Sequence, residues 1–228
     1  MSNVKSPSWR MVLEERQDII AFLRSLTSKQ WETPSLCAGW RIKDVAAHLL
    51  VDEPVQSGMA LRVVPLVARQ RFSVDRMNAA WIVQNRHRAS GSIVESLQED
   101  SHRAVGVIGH LLGPAVALRA LVIHHQDMRR PLHIERVVPP DRLVAALDAL
   151  VTWKGSVSIG SRSRAKGLHL RALDVAWSHG DGPEVFGPGE AIVMALAGRG
   201  VAFKDLEGEG KVVLAERMPV QSVSVEPS

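Results

Sequence analysis

Two histidines sit on apolar stretches where an imidazole needs a reason to be. His48 follows Val45-Ala46-Ala47 and precedes Leu49-Leu50, and His124 closes the run Ala120-Leu121-Val122-Ile123. A histidine on an apolar face is commonly a core residue with a hydrogen-bond partner. Two of them on facing helices are also the means by which antiparallel bundles build metal sites in their cores. A zinc-type site draws on His, Cys, Asp or Glu, and a catalytic one leaves a position open for water or substrate. Asp127 lies three residues after His124 on the same helical face, and Asp52 lies one turn after His48. Asp127 serves equally as an ion-pair partner for Arg129 or Arg130, or as support for a histidine. His125 points about 100° around the helix from His124 and is the poorer ligand. Spacing alone does not choose the third ligand.

Other chemistries find less support. Among the remaining histidines, His87 and His102 have polar helical surroundings, His110 precedes the break Gly113-Pro114, and His133 and His169 border changes of structure. The single cysteine, Cys37, lies between Leu36 and Ala38-Gly39-Trp40 and reads as a small buried side chain. It becomes a nucleophile only if a cation or metal lowers its pKa. The chain has no glycine-rich phosphate loop, no His-Glu-x-x-His and no Gly-x-Ser-x-Gly. Gly180-Asp181-Gly182 is turn chemistry.

The elements that must position these residues are mostly helices. Met11, Ile19, Ile20, Leu23 and Leu26 recur at helical intervals over 10–26, ended by Thr27-Ser28. An irregular connection follows, pinned by Trp31, Leu36 and Trp40. A second helix starts near Arg41 and carries His48, and a third covers about Asp75 to Arg88. Ser92 and Glu95 have capping-box spacing ahead of a helix from Ile93 towards Val107. Gly113-Pro114 breaks the chain before an aliphatic helix over Ala115 to Met128, which Pro131 ends. Pro139-Pro140-Asp141 opens another helix through Leu150. The period then changes: Leu168, Leu170 and Ala172 alternate with polar neighbours, predicting a strand with a turn at His179 to Gly182. Pro188-Gly189-Glu190 leads a helix over Ala191 to Ala197, closed by Gly198, and Lys211 to Leu214 is expected as a final strand.

Bulk properties bound the partners. With 46% hydrophobic and 23% charged residues the chain has the composition of a soluble globular protein. Its 28 basic and 24 acidic residues leave a formal charge of only +4. The basic tracts, from Arg62 to Arg76, at Arg86-His87-Arg88 and at Arg162 and Arg164, have no aromatic interleaving, so no nucleic acid is expected. No apolar run approaches the ~20 residues needed to cross a bilayer, and the first ten residues lack an export signal, so a cytoplasmic location away from membranes is expected. One cysteine fits a reducing compartment.

Three segments carry a resemblance: Trp31 to Leu49, with Cys37-Ala38-Gly39-Trp40 and His48; His124-His125-Gln126-Asp127-Met128-Arg129-Arg130-Pro131-Leu132; and Gly167 to Val185, continued by Pro188, Glu190 and Ala195 to Arg199. In this order they are similar to the mycothiol-dependent maleylpyruvate isomerase family of the DinB-like superfamily, whose members are typical of actinobacteria. The resemblance implies an α+β fold: a DinB-like antiparallel four-helix bundle over 1–135, followed by a small C-terminal α/β domain over 136–220. It implies a divalent metal, zinc first and nickel or manganese as alternatives, near one end of the bundle. Mycothiol is implied as cosubstrate, acting in isomerisation or thiol transfer to a small electrophilic substrate. His48 and His124 match the family's histidine ligands. The family's glutamate, four residues before the second histidine, is here Ala120. That departure leaves Asp127 or Asp52 to compensate, and otherwise implies a non-catalytic member that binds a small ligand or dimerises. In the enzyme reading Arg129 or Arg130 would grip a substrate carboxylate, although both equally suit the electrostatics of a helix end. A homodimer is compatible with either reading.

Overall fold

A computed structural model describes residues 6–50, 86–100, 113–156 and 159–219. The expected helix over Asp75 to Arg88 falls almost wholly outside these residues, as do Asp52, His102 and His110. The chain divides into two compact units, Met1–Ala117 with Asp127–Ile134, and Leu118–Gln126 with Glu135–Ser228. The protein is mostly helical, with a small three-stranded mixed sheet near the C-terminus.

In the first unit, α1 spans Pro7–Arg24. The Ser6 side chain accepts the Trp9 N–H, and Pro7 occupies the first turn, where its missing donor costs nothing. Its buried stripe includes Val12, Ile19, Ile20 and Leu23. Thr27 caps a further short helix, α2 (Ser28–Trp31), in a capping box with Gln30. The expected stop signal after α1 is thus also a start signal. Helix α3 (Ile42–His48) buries Ile42, Val45, Ala46 and Ala47. Helix α4 (Ser90–Asp100) begins three residues earlier than the Ile93 start that a Ser92 cap requires. That pair is therefore inside the helix and forms no capping box there. Helix α4 packs on α1 and α3. Helix α5 (Pro114–Arg129), whose stretch Leu118–Gln126 is assigned to the second unit, starts after Gly113 and runs into a 3₁₀ turn, Arg130–Leu132, that contains Pro131.

In the second unit, α6 (Pro140–Val151) is followed by the short α7 (Trp153–Ser156) and α8 (Ser161–Ala165). Strands β1 (His169–Ala172), β2 (Ser178–His179) and β3 (Glu184–Gly187) form a sheet of order β2-β1-β3. β1 pairs antiparallel with β2, Leu170 opposite His179, and parallel with β3, Leu170 opposite Val185. Helix α9 (Gly189–Leu196) packs on α6 and on the sheet and is buried along most of its length. The segment expected as a last strand is helical: α10 spans Gly210–Glu216 and packs on β3. No described helix is long and apolar enough to cross a membrane.

Candidate metal centre

The loop between α2 and α3 closes on itself before presenting Cys37. The Ser35 N–H donates to the Trp40 carbonyl at 2.8 Å, the Trp40 N–H to the Cys37 carbonyl at 3.0 Å, and the Ile42 N–H to the Thr33 carbonyl at 2.9 Å. The Cys37 N–H donates to Ser35 Oγ at 3.1 Å. Gly39 supplies the positive φ of 76° that the return demands, a conformation other residues adopt only with strain. The loop is also tied to the end of α5, because the Leu36 N–H donates to the Asp127 carbonyl at 3.1 Å.

That tie brings the Cys37 Sγ to 3.1 Å from Asp127 Oδ2, where the thiol donates to the carboxylate across 90 residues of sequence. His124 stands on the same unbroken helix as Asp127, one turn before it. Ligand atoms of Cys37, His124 and Asp127 all lie within 4.8 Å of one another. Asp127 is buried, while Cys37 and His124 are partly exposed. Bonds of about 2.0–2.3 Å to one tetrahedral ion would place such donors roughly 3.5 Å apart, so small side-chain rotations suffice. Sulfur, imidazole nitrogen and carboxylate oxygen are the donors that zinc accepts. The donor set therefore fits a divalent ion.

His48, the last residue of α3, stands outside this set. Its ring packs edge-on against Trp40, with centroids 5.3 Å apart. His125 is completely buried. The Arg129 guanidinium lies over the Phe22 ring, 4.3 Å from its centroid, which is a cation–π contact. Arg130 begins the 3₁₀ turn and is partly exposed. The structure thus unites two of the residues singled out from sequence, His124 and Asp127, and adds Cys37, whose part only a long-range contact reveals.

The start of α3 is fixed by a charge pair next to this loop. Asp44 Oδ2 accepts from the Arg41 backbone N–H at 2.9 Å and from Arg41 Nε at 3.0 Å, and Oδ1 accepts from Nη2 at 3.0 Å. Burial pushes the Asp44 carboxyl up, but hydrogen bonds and charge from Arg41, with Arg86 adding charge, outweigh it and hold it below the ordinary carboxylate range. The bond to Asp44 is likewise the main reason the Arg41 guanidinium is held more firmly protonated than usual.

A crystal structure of the mycothiol-dependent maleylpyruvate isomerase matches with a TM-score of 0.52 at 16% identity, over 90% of this chain and 92% of that one. The fold is therefore that of this enzyme. A histidine-to-alanine mutant of a mycothiol-dependent maleylpyruvate isomerase gives 0.49 at 16% identity, over 92% and 97%. Residues 12–111 match the mycothiol maleylpyruvate isomerase N-terminal domain. No curated protein matches the sequence.

Proposed function

We propose that the protein is a metal-dependent enzyme that uses a low-molecular-weight thiol of the mycothiol type, in isomerisation or thiol transfer to a small electrophilic substrate. The observation that carries this reading is the convergence of His124 and Asp127 with a thiol in a family of this name, their ligand atoms all within 4.8 Å. A divalent ion there would supply a Lewis-acid centre at which a thiol exists as its thiolate. The protein's own groups do the rest. Helix α5 fixes His124 and Asp127 one turn apart, Asp127 is withdrawn from solvent, and Cys37 and His124 are partly exposed. His48, at the family's other histidine position, stands outside this group, and this reading leaves the ion's remaining position to the incoming thiol. Arg130, partly exposed in the turn that follows α5, is the residue this reading assigns to a substrate carboxylate; Arg129 lies over Phe22.

A second reading is favoured by Ala120, where the family has glutamate: a non-catalytic member that binds a small ligand. Elemental analysis of untagged protein, with His124→Ala alongside, separates the two. The enzyme reading expects about one equivalent of divalent metal in the parent and none in His124→Ala. Trace metal after supplementation with zinc, nickel and manganese sinks it and leaves the ligand-binding reading. Ala120→Glu sharpens the result, because restoring a carboxylate one turn before His124 raises metal affinity only if the ion sits on that face of α5.

A further inference from the structure

We infer that Cys37 is a direct ligand, so that the ion in this protein sits on a Cys37–His124–Asp127 set and not on the family's histidine–glutamate–histidine arrangement. This rests on the metal reading above and goes further by naming the ligand set and the metal it selects.

Three observations converge. With Ala120 in the glutamate's place, the only carboxylate α5 offers beside His124 is Asp127, one turn on the C-terminal side. The ligand pair of the helix therefore shifts from positions 120 and 124 to 124 and 127, towards the end of α5 where the Cys37 loop is bonded through Leu36 and Asp127. At that end the thiol already meets the carboxylate at 3.1 Å, and His124 completes a group whose ligand atoms span no more than 4.8 Å. Among the described residues no other Cys, His, Asp or Glu group of three comes together in this way.

The chemistry of the set determines its preference. On binding a divalent ion the Cys37 thiol loses its proton to solvent, and thiolate plus carboxylate then neutralise the two positive charges. A soft thiolate favours zinc over manganese or magnesium, which prefer all-oxygen shells. Three protein ligands leave the fourth tetrahedral position for water or an incoming thiol, on the side where Cys37 and His124 reach solvent. The same set makes occupancy depend on an unmodified Cys37: alkylating it removes a ligand, and a bound ion in turn shields it.

Cobalt(II) tests this on the intact chain. The metal-free protein loaded with cobalt should show one equivalent bound, tetrahedral visible bands and an intense near-ultraviolet sulfur-to-cobalt charge-transfer band. Cys37→Ser should lose the charge-transfer band and weaken zinc in a chelator competition by more than the ~10–100-fold that removing a mere supporting residue costs. Because a variant can fail by misfolding, the parent protein supplies an independent readout. Zinc should slow iodoacetamide labelling of Cys37 at least tenfold, and prior labelling should abolish zinc uptake. Stoichiometric cobalt without the charge-transfer band, with unchanged labelling, overturns Cys37 as a ligand while leaving the metal reading intact. It would identify the Cys37–Asp127 contact as a pin for the loop. Absence of any bound metal overturns both.

Discussion

Carboxylates are used in opposite ways in the two units. Beside the Cys37 loop, Asp44 and Asp127 are buried, one against a guanidinium and the other against a thiol. In the C-terminal unit, Asp174 and Asp148 stay exposed and each accepts a single N–H, from the Gly189 backbone at 2.7 Å and from the Trp177 indole at 2.8 Å. They rim an aliphatic core in which Ile192, Val193, Met194, Ala195 and Leu196 of α9 are at most 1% exposed. Burying a carboxylate is costly unless partners repay it, whereas a rim carboxylate on a helix end is nearly free. The C-terminal unit thus keeps these carboxylates at the margin of its apolar packing, its buried polar side chains among the described residues after α5 being Arg142, Ser161 and Arg164, whereas the end of α5 buries a carboxylate that packing alone does not require.

The sharpest break in that contrast comes from the core. Leu147 of α6 is fully buried, and Leu147→Ala should cost about 2–5 kcal/mol in urea unfolding. Cobalt binding by the folded fraction should stay at its parental value. Asp127→Asn should do the reverse: lose metal binding outright while costing about 1–3 kcal/mol, the penalty for disturbing a buried hydrogen-bonded carboxylate. If Asp127→Asn were to match Leu147→Ala in stability with metal affinity unchanged, Asp127 would be a structural residue and the contrast would fail.

These residues also mark how far sequence reasoning reached. His124 and Asp127 were legible because a three-residue spacing on a helix fixes a shared face, and α5 has well-marked ends at Gly113-Pro114 and Pro131. Helices α1, α6 and α9 were legible for the same reason, with sustained periodicity and a proline or glycine at a boundary. The place of Cys37 beside His124 and Asp127 was not, because it depends on a loop returning across 90 residues through a Leu36–Asp127 backbone bond that no local pattern announces. β3 is four residues with a terminal glycine, too short for alternation to show. Lys211 to Leu214 misled for a related reason: Val212-Val213-Leu214 is a brief apolar run that periodicity cannot divide between strand and helix, and only the structure shows Val212 66% exposed and Leu214 1% exposed, opposite faces two residues apart as in one turn of α10.

A smaller effect belongs to the rim. Asp174→Ala removes the acceptor for the first N–H of α9 and should cost about 1 kcal/mol, the usual worth of an N-terminal cap. A urea midpoint unchanged within error would mean that the packing of α9 alone holds its first turn.

The smallest prediction concerns the charge on Asp44, separated from its shape. Asp44→Asn keeps an oxygen able to accept the Arg41 backbone N–H but removes the negative charge facing the guanidinium. Arg41 is partly exposed and its attraction is screened, so at pH 7 the cost should be under about 1 kcal/mol. The sign of its pH dependence follows from the lowered folded-state pKa. The carboxylate's contribution is fully present above the unfolded value of ~3.9 and is lost as pH falls through the lower folded value. Parent and variant should therefore differ in urea midpoint at pH 7 and converge only once the pH has fallen below the lowered folded value, under the ordinary Asp range. A gap that persists undiminished at the acid end would assign the effect to the geometry of the α3 cap and remove Asp44 from the set of buried charges that distinguishes this unit.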